Sequence, residues 1–117
     1  MANLEERGAS TTVKIDLDGS GRADVVSGSA FLDHMVAAFC RTGQLNLEAK
    51  AEGIQLYRCT ALGRAIGQAI KDALGDQRGI RRYGNSAVPM DDALAEIALD
   101  FSGRTYLVFL GEFWAQR

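Results

Sequence analysis

Two arginines, Arg82 and Arg104, flank a segment that is rich in carboxylates and includes Asp91 and Asp92. A guanidinium group stays charged and binds phosphate through two parallel hydrogen bonds, so this pattern favours a site for a phosphorylated ligand. The two aspartates could move protons, although adjacent carboxylates after a proline are also typical of a solvated turn. The alternative is that these arginines, with Arg81, are solvated strand residues that pair with one of the two aspartates.

The chain contains a single histidine, His34, which excludes a metal centre built on imidazole clusters within one chain. Cys40 and Cys59 are isolated and show no Cys-x-x-Cys or Cys/His metal spacing. They are typical of reduced cysteines that pack as small hydrophobic side chains in a cytosolic protein. The sequence therefore predicts a cytoplasmic location.

Composition limits the function classes that fit this chain. With 117 residues, 47% of them hydrophobic, it predicts one domain, or part of one, with a packed core. No apolar run approaches the roughly 20 residues that span a bilayer, and residues 1–7 do not resemble a secretory signal. The formal charge of −2 favours neither nucleic acid nor an anionic membrane as a partner.

Hydrophobic periodicity predicts an α+β fold, in which two helices cover one face of an antiparallel or mixed sheet and a C-terminal β-hairpin follows. Alternating apolar residues indicate strands over 12–18, 22–27 and 45–51, and the glycines between the first two predict an antiparallel hairpin. Helical spacing of apolar residues predicts helices over 29–43 and 57–74, with Gly75 ending the second one. Three further segments are predicted as strands: 80–88, 94–101 and 105–110.

Two features of this arrangement need a neighbour. Gly63 and Gly67 lie one turn apart inside the second helix, where each costs about 1 kcal/mol relative to alanine, and close approach of another backbone would compensate for this cost. The segment 107–110 is apolar on both faces and is followed by Phe113 and Trp114. A strand of this kind needs cover on both sides, so we expect either another subunit or further helices.

Several segments resemble motifs of imidazoleglycerol-phosphate dehydratase, the manganese-dependent lyase of histidine biosynthesis. These segments are 79–84 (GIRRYG), 89–94 (PMDDAL) and 99–104 (LDFSGR), and the resemblance extends upstream to 31–35 (FLDHM) and 66–76 (IGQAIKDALGD). The motifs occur in the family's order and cover nearly the whole chain. The sequence is therefore identified as a truncated and divergent member of this family.

The resemblance implies a fold of two similar α+β halves, each a sheet backed by two helices. Residues 1–78 would form the first half and residues 79–117 the leading strands of the second, within a single domain that is incomplete at its C-terminus. It also implies homo-oligomers built from trimers, with active sites between subunits. The helices that should cover the last hairpin, and a second histidine-rich motif, would then lie beyond Arg117.

The family converts imidazole glycerol phosphate to imidazole acetol phosphate by removing water, and a pair of manganese ions holds the substrate. Of the family's metal ligands, His34 remains as a residual one, and its alternative role is a hydrogen bond to a nearby carboxylate or carbonyl. The His-His-x-x-Glu motif is replaced by 56–61 (LYRCTA), and Thr11 and Thr42 stand where the family has a glutamate and a histidine. Because one imidazole holds a divalent ion weakly, no metal cofactor is expected in this chain.

By the same resemblance, Arg82 and Arg104 occupy the positions that bind the substrate phosphate. Asp91 and Asp92 match an acidic element that moves protons or supports the site. We therefore predict a dehydratase-like protein that is inactive alone. The alternatives are a metal-free module that binds a phosphorylated imidazole ligand or serves assembly, and the product of a decaying gene.

Overall fold

The structure is a computed structural model that describes residues 2–6, 8–102 and 104–111, and the chain divides into two compact units, Met1–Arg78 and Gly79–Arg117. Their elements run in chain order as β1 (Ala2–Glu6), β2 (Ala9–Asp16), β3 (Ala23–Val26), α1 (Ala30–Gly43), β4 (Asn46–Gly53) and α2 (Gln55–Leu74) in the first unit, then β5 (Tyr83–Met90) and β6 (Ala93–Asp100) in the second. One four-stranded mixed sheet, two helices and one antiparallel hairpin confirm the predicted α+β class.

One face of the four-stranded sheet packs against both helices. In β2 the buried residues alternate with exposed ones, as expected for a strand with one face in the core. The same alternation in β4 turns Leu47, Ala49 and Ala51 inward and leaves charged side chains on the outer face. The buried core cluster consists of Val13, Val36, Cys40, Leu47, Ala49, Leu62, Ala65 and Ala69.

The strand order β1-β2-β4-β3 differs from the sequence prediction. The antiparallel hairpin predicted between 12–18 and 22–27 is wrong, because β4 lies between β2 and β3. β4 pairs antiparallel with β2 and parallel with β3. As a result β3, α1 and β4 form a βαβ unit, in which the helix is the crossover that parallel neighbours require.

Asn46, at the start of β4, explains why β2 and β3 do not close into a hairpin. Its side-chain Oδ1 accepts hydrogen bonds from the backbone N–H groups of Ser20 and Arg22, each at 3.0 Å. The carbonyl of Arg22 in turn accepts a hydrogen bond from Leu47 N at 2.9 Å. Gly19 lies so close to Asn46 that a Cβ would overlap the asparagine backbone nitrogen. The linker therefore folds onto the start of β4 and leaves room for this strand in the middle of the sheet.

Two other strand assignments differ between sequence and structure. β1 was not predicted, since its hydrophobic alternation is weak, but its backbone pairs with β2. Residues 105–110, predicted as a strand, lie outside regular secondary structure. Among the described residues, the second sheet contains β5 and β6 and no third strand. The predicted turn at Ser102–Gly103 lies partly outside the described residues, since Gly103 is not among them, and Phe113 and Trp114 lie wholly outside. The cover expected for 107–110 stays a prediction.

The predicted helices are confirmed with small shifts at their ends. α1 begins after Ser29, whose Oγ accepts a hydrogen bond from Leu32 N at 3.2 Å, a typical N-cap. α2 ends at Leu74 and is followed by the predicted Gly75, whose φ of 60° is a positive value that favours glycine. In the described part of the chain, neither helix is long and apolar enough to cross a membrane.

Gly63 and Gly67 do not have the neighbour that was expected for them. Outside the helix's own backbone, no described atom lies within 4 Å of a Cβ built at either position. The explanation by close backbone approach is therefore wrong for the described part of the chain. Each glycine should retain its full conformational cost.

We expect Gly63→Ala to raise the free energy of unfolding by about 1 kcal/mol, because alanine removes backbone entropy from the unfolded chain and meets no clash in α2. Gly28→Ala is the contrasting variant, since Gly28 has a φ of +85° and its Cβ would overlap the guanidinium of Arg58. That substitution should lower the free energy of unfolding by about 1–3 kcal/mol. Urea denaturation followed by circular dichroism measures both, and a loss of stability in Gly63→Ala would contradict the open environment of this residue.

Candidate functional site

The clearest polar contact in unit 2 joins Arg82, just before β5, to Asp100, the last residue of β6. Arg82 Nε donates to Asp100 Oδ1 at 2.6 Å and Arg82 Nη2 donates to Asp100 Oδ2 at 3.2 Å. The two groups therefore form a bidentate fork. Backbone pairing fixes its position, because Tyr83 lies opposite Asp100 and Phe101 N donates to Arg82 O at 3.0 Å.

This fork shifts the protonation equilibria of both partners. The hydrogen bond from Arg82, with a smaller effect of its charge, lowers the pKa of Asp100 below its usual value. The same hydrogen bond raises the pKa of Arg82. Both groups are exposed, so the pair contributes little to the stability of the fold. It connects the residue before β5 to the last residue of β6 at the open end of the hairpin.

The ring of Tyr83 provides a second contact to the same guanidinium. Arg82 Cζ lies 5.2 Å from the centroid of the Tyr83 ring, within the range of a cation–π interaction. The alternative pairing predicted from the sequence, in which Arg82 pairs with Asp91 or Asp92, is wrong. The actual partner is Asp100, which the sequence reasoning had not singled out.

Arg104 lies at the same end of the hairpin as Arg82. Arg104 follows Asp100 by four residues, so the Cα atoms of Asp100 and Arg104 are at most about 14 Å apart. Two hydrogen bonds join Ser102 to Arg104: Ser102 Oγ donates to Arg104 O at 3.0 Å and accepts from Arg104 N at 3.3 Å. The Arg104 side chain is exposed. In the chain, Arg82 directly precedes β5 and Arg104 follows β6, so both predicted phosphate-binding arginines flank the open end of the antiparallel hairpin, and their role in binding phosphate stays a prediction.

Asp91 and Asp92 lie at the opposite end of the hairpin, in the two-residue turn between β5 and β6. Both are exposed, and Asp91 has a φ of 54°, in the left-handed region. Eight residues of strand separate this turn from Arg82, a distance of about 25 Å at the usual rise. Within unit 2, the structure does not bring these carboxylates to the arginines, and their catalytic role stays a prediction.

His34 lies on α1 in unit 1, with an exposed side chain. Among the hydrogen bonds of the described residues, none involves this imidazole, so the alternative role predicted for it, a hydrogen bond to a carboxylate or carbonyl, is not found there. No group of three or more His, Cys, Asp or Glu side chains that could hold a metal ion occurs in the described part of the chain.

The first turn of α2 carries a cation at the position of the replaced metal motif. Arg58 Nε donates to Gly53 O at 2.9 Å and its Nη1 donates to Ser27 O at 3.3 Å. The buried Ser27 is held in turn by Asp33, whose Oδ1 accepts from both Ser27 N and Ser27 Oγ. This network ties the start of α2 to the start of α1, and it places the fixed positive charge of Arg58, which would repel a dication, at the position of the replaced motif. The residues present therefore do not fit the family's metal centre.

Comparisons with known proteins indicate the same family as the motifs. The imidazoleglycerol-phosphate dehydratase family model matches residues 27–117. The dehydratase of Geobacillus kaustophilus is 46% identical over 112 residues, which are 92% of this chain and 57% of that protein. The chain belongs to the imidazoleglycerol-phosphate dehydratase family. The resemblance inferred from the sequence is thereby confirmed.

Two further relatives of this chain support the assignment. The dehydratase of Acetivibrio thermocellus is 48% identical over 105 residues, covering 86% of this chain and 54% of that protein. A crystal structure of the dehydratase from Staphylococcus aureus superposes with a TM-score of 0.70 at 28% identity, covering 90% of this chain and 60% of that one. The chain thus spans little more than half the length of these dehydratases, so their whole activity is not transferred to it directly.

The cysteines follow the sequence prediction only in part. Both are free, and Cys40 is buried in the core, where desolvation raises the pKa of its thiol. Cys59 is exposed on α2, so the expectation that it packs as a core hydrophobe is wrong. The predicted cytoplasmic location and trimer-based homo-oligomer stay predictions.

We expect the Asp100 carboxyl to titrate below the ordinary aspartate pKa of about 3.9, and Arg82→Gln to raise that pKa towards the ordinary value. Because the pKa is lower in the folded chain, the fork stabilises the hairpin above the unfolded pKa, and this contribution is lost as the pH falls through the lowered value. Carboxyl ¹³C NMR follows the titration. Arg41→Gln, which removes an exposed charge from α1, should leave it unchanged, and an ordinary pKa in the unmodified chain would contradict the fork.

Proposed function

We propose that this chain is a metal-free member of the dehydratase family that binds the phosphate group of a small imidazole-bearing ligand and does not dehydrate it alone. The proposal is supported by two exposed arginines, Arg82 directly before β5 and Arg104 after β6, which flank the open end of the antiparallel hairpin. Family membership supports a phosphorylated imidazole as the ligand.

The chemistry of the two arginines suits phosphate. Guanidinium groups remain charged at every physiological pH and offer planar pairs of donors that match two phosphate oxygens. Asp100 occupies only two of the five donors of Arg82, so three remain for a ligand. A phosphate therefore does not need to displace the carboxylate to bind.

The family reaction, dehydration of imidazole glycerol phosphate to imidazole acetol phosphate, needs divalent metal at the imidazole end of the substrate. Catalytic metal sites usually combine three or more protein ligands, and this chain offers the single imidazole of His34. Arg58 and Tyr57 stand in the first turn of α2 where carboxylate or imidazole donors would be needed. Asp91 and Asp92 stay candidate proton-transfer groups only under the enzymatic alternative.

Arg82→Gln should weaken binding of inorganic phosphate by about tenfold, because it removes a charged donor pair from the ligand. Arg104→Gln should weaken it to a similar degree, whereas Arg41→Gln, which removes the same charge from α1, should have little effect. Isothermal titration calorimetry in buffer without phosphate measures the three variants. Equal affinity of all three and the unmodified chain would reject the phosphate site.

We expect that manganese does not bind, because the chain offers a single imidazole ligand. Manganese should therefore not raise the melting temperature, as any ligand that binds only the native state would, and it should not support loss of imidazole glycerol phosphate. Thermal denaturation with and without manganese, elemental analysis and an enzyme assay test this expectation. The dehydratase of Geobacillus kaustophilus serves as the active control. Stoichiometric manganese in the purified chain, or turnover comparable with the control, would show that the proposal is wrong.

A further inference from the structure

We propose that Asp100 is the positioning residue of the phosphate site, and that its carboxylate fixes Arg82 so that the free edge of the guanidinium is presented to a phosphate. This inference rests on the proposed function, since it concerns how the same site attains its affinity. It assigns a role to a residue that would itself carry no positive charge and make no contact with the ligand.

The geometry divides the guanidinium into an occupied edge and a free one. Asp100 accepts from Nε at 2.6 Å and from Nη2 at 3.2 Å, so the side edge of Arg82 is filled. Nη1, with its two N–H groups, and the second N–H of Nη2 form the other edge. These remaining donors match the spacing of two phosphate oxygens. A carboxylate and a phosphate can therefore bind Arg82 together.

Three contacts make the orientation of this edge specific. The Asp100 carboxylate comes from the end of β6, and the pairing of Asp100 with Tyr83 fixes its register. The Tyr83 ring lies 5.2 Å from Arg82 Cζ. The backbone of Arg82 is tied to Phe101 N at 3.0 Å. A long side chain held in this way loses less conformational freedom when a ligand binds than a free arginine does.

The negative charge of Asp100 acts in the opposite sense, because it repels a phosphate. Both groups of the fork are exposed, with side-chain exposures of 54% for Arg82 and 42% for Asp100. At such a site, water and salt reduce the repulsion to about twofold in affinity. Loss of an ordered side chain has a larger effect, about three- to tenfold. We therefore expect positioning to outweigh repulsion.

A double-mutant cycle separates these two effects. Asp100→Ala and Asp100→Asn should each weaken binding of inorganic phosphate about threefold in the Arg82 chain, despite removing a negative charge. In the Arg82→Lys background the fork does not exist, so Asp100→Ala should leave affinity unchanged or improve it about twofold. Titration calorimetry provides the affinities, and the Arg82 Nε–H signal in ¹⁵N NMR should lose its slow exchange in both Asp100 variants.

Each outcome is decisive. Equal or tighter phosphate binding in the Asp100 variants of the Arg82 chain would overturn the positioning role. If Arg82→Gln still weakened binding strongly, the proposed phosphate site itself would stand. No effect of Arg82→Gln would reject the proposed function itself. The amide NMR spectrum of β5 and β6 reports whether the hairpin has folded, and Asp100→Asn, which keeps the shape of the side chain, replaces Asp100→Ala if the latter disrupts it.

Discussion

Unit 1 depends on the central position of β4. Its backbone bonds to β2 on one side and to β3 on the other, so it has no free edge and its residues alternate strictly between the helices and the outer face. Leu47 and Ala49 supply the inner face and belong to the same cluster as residues of both helices. Asn46 sets where this strand begins, by accepting two backbone hydrogen bonds from the linker before β3. Together with β2 and β3, on which α2 and α1 pack, this central strand completes the sheet face that both helices cover.

Much of this fold could be predicted from the sequence, because hydrophobic periodicity is a local property. The two helices, β2 and β4 were located by the spacing of their apolar residues, and Gly75 marked a helix end. Strand pairing was not local in this sense. A short linker that contains two glycines, such as the one between β2 and β3, is typical of a hairpin. The contact that decides the pairing, however, joins Ser20 and Arg22 to Asn46, more than 20 residues away. β1 was missed for a similar reason, since its pairing with β2 defines it.

The candidate site was predictable to the same extent. Arg82 and Arg104 were found from residue type and motif, and the hairpin places them at one end. Asp100 could not be recognised as a partner, because its position beside Arg82 depends on the register of β5 against β6, and a slip of one residue would place a different side chain there. The length of the same two strands places Asp91 at the far turn, which sequence proximity alone does not reveal.

Metal binding and phosphate binding are separable in this chain, because different side chains would perform them. A dication needs several donors that offset its charge, and the first turn of α2 instead holds Arg58, whose guanidinium donates to the carbonyls of Ser27 and Gly53. Restoring a histidine at Tyr57 alone would add one donor beside a fixed positive charge that repels the ion. Under the proposed function, phosphate would require no such set, because Arg82 would supply both charge and geometry and the carboxylate of Asp100 would orient it. A chain without metal binding could therefore still bind phosphate.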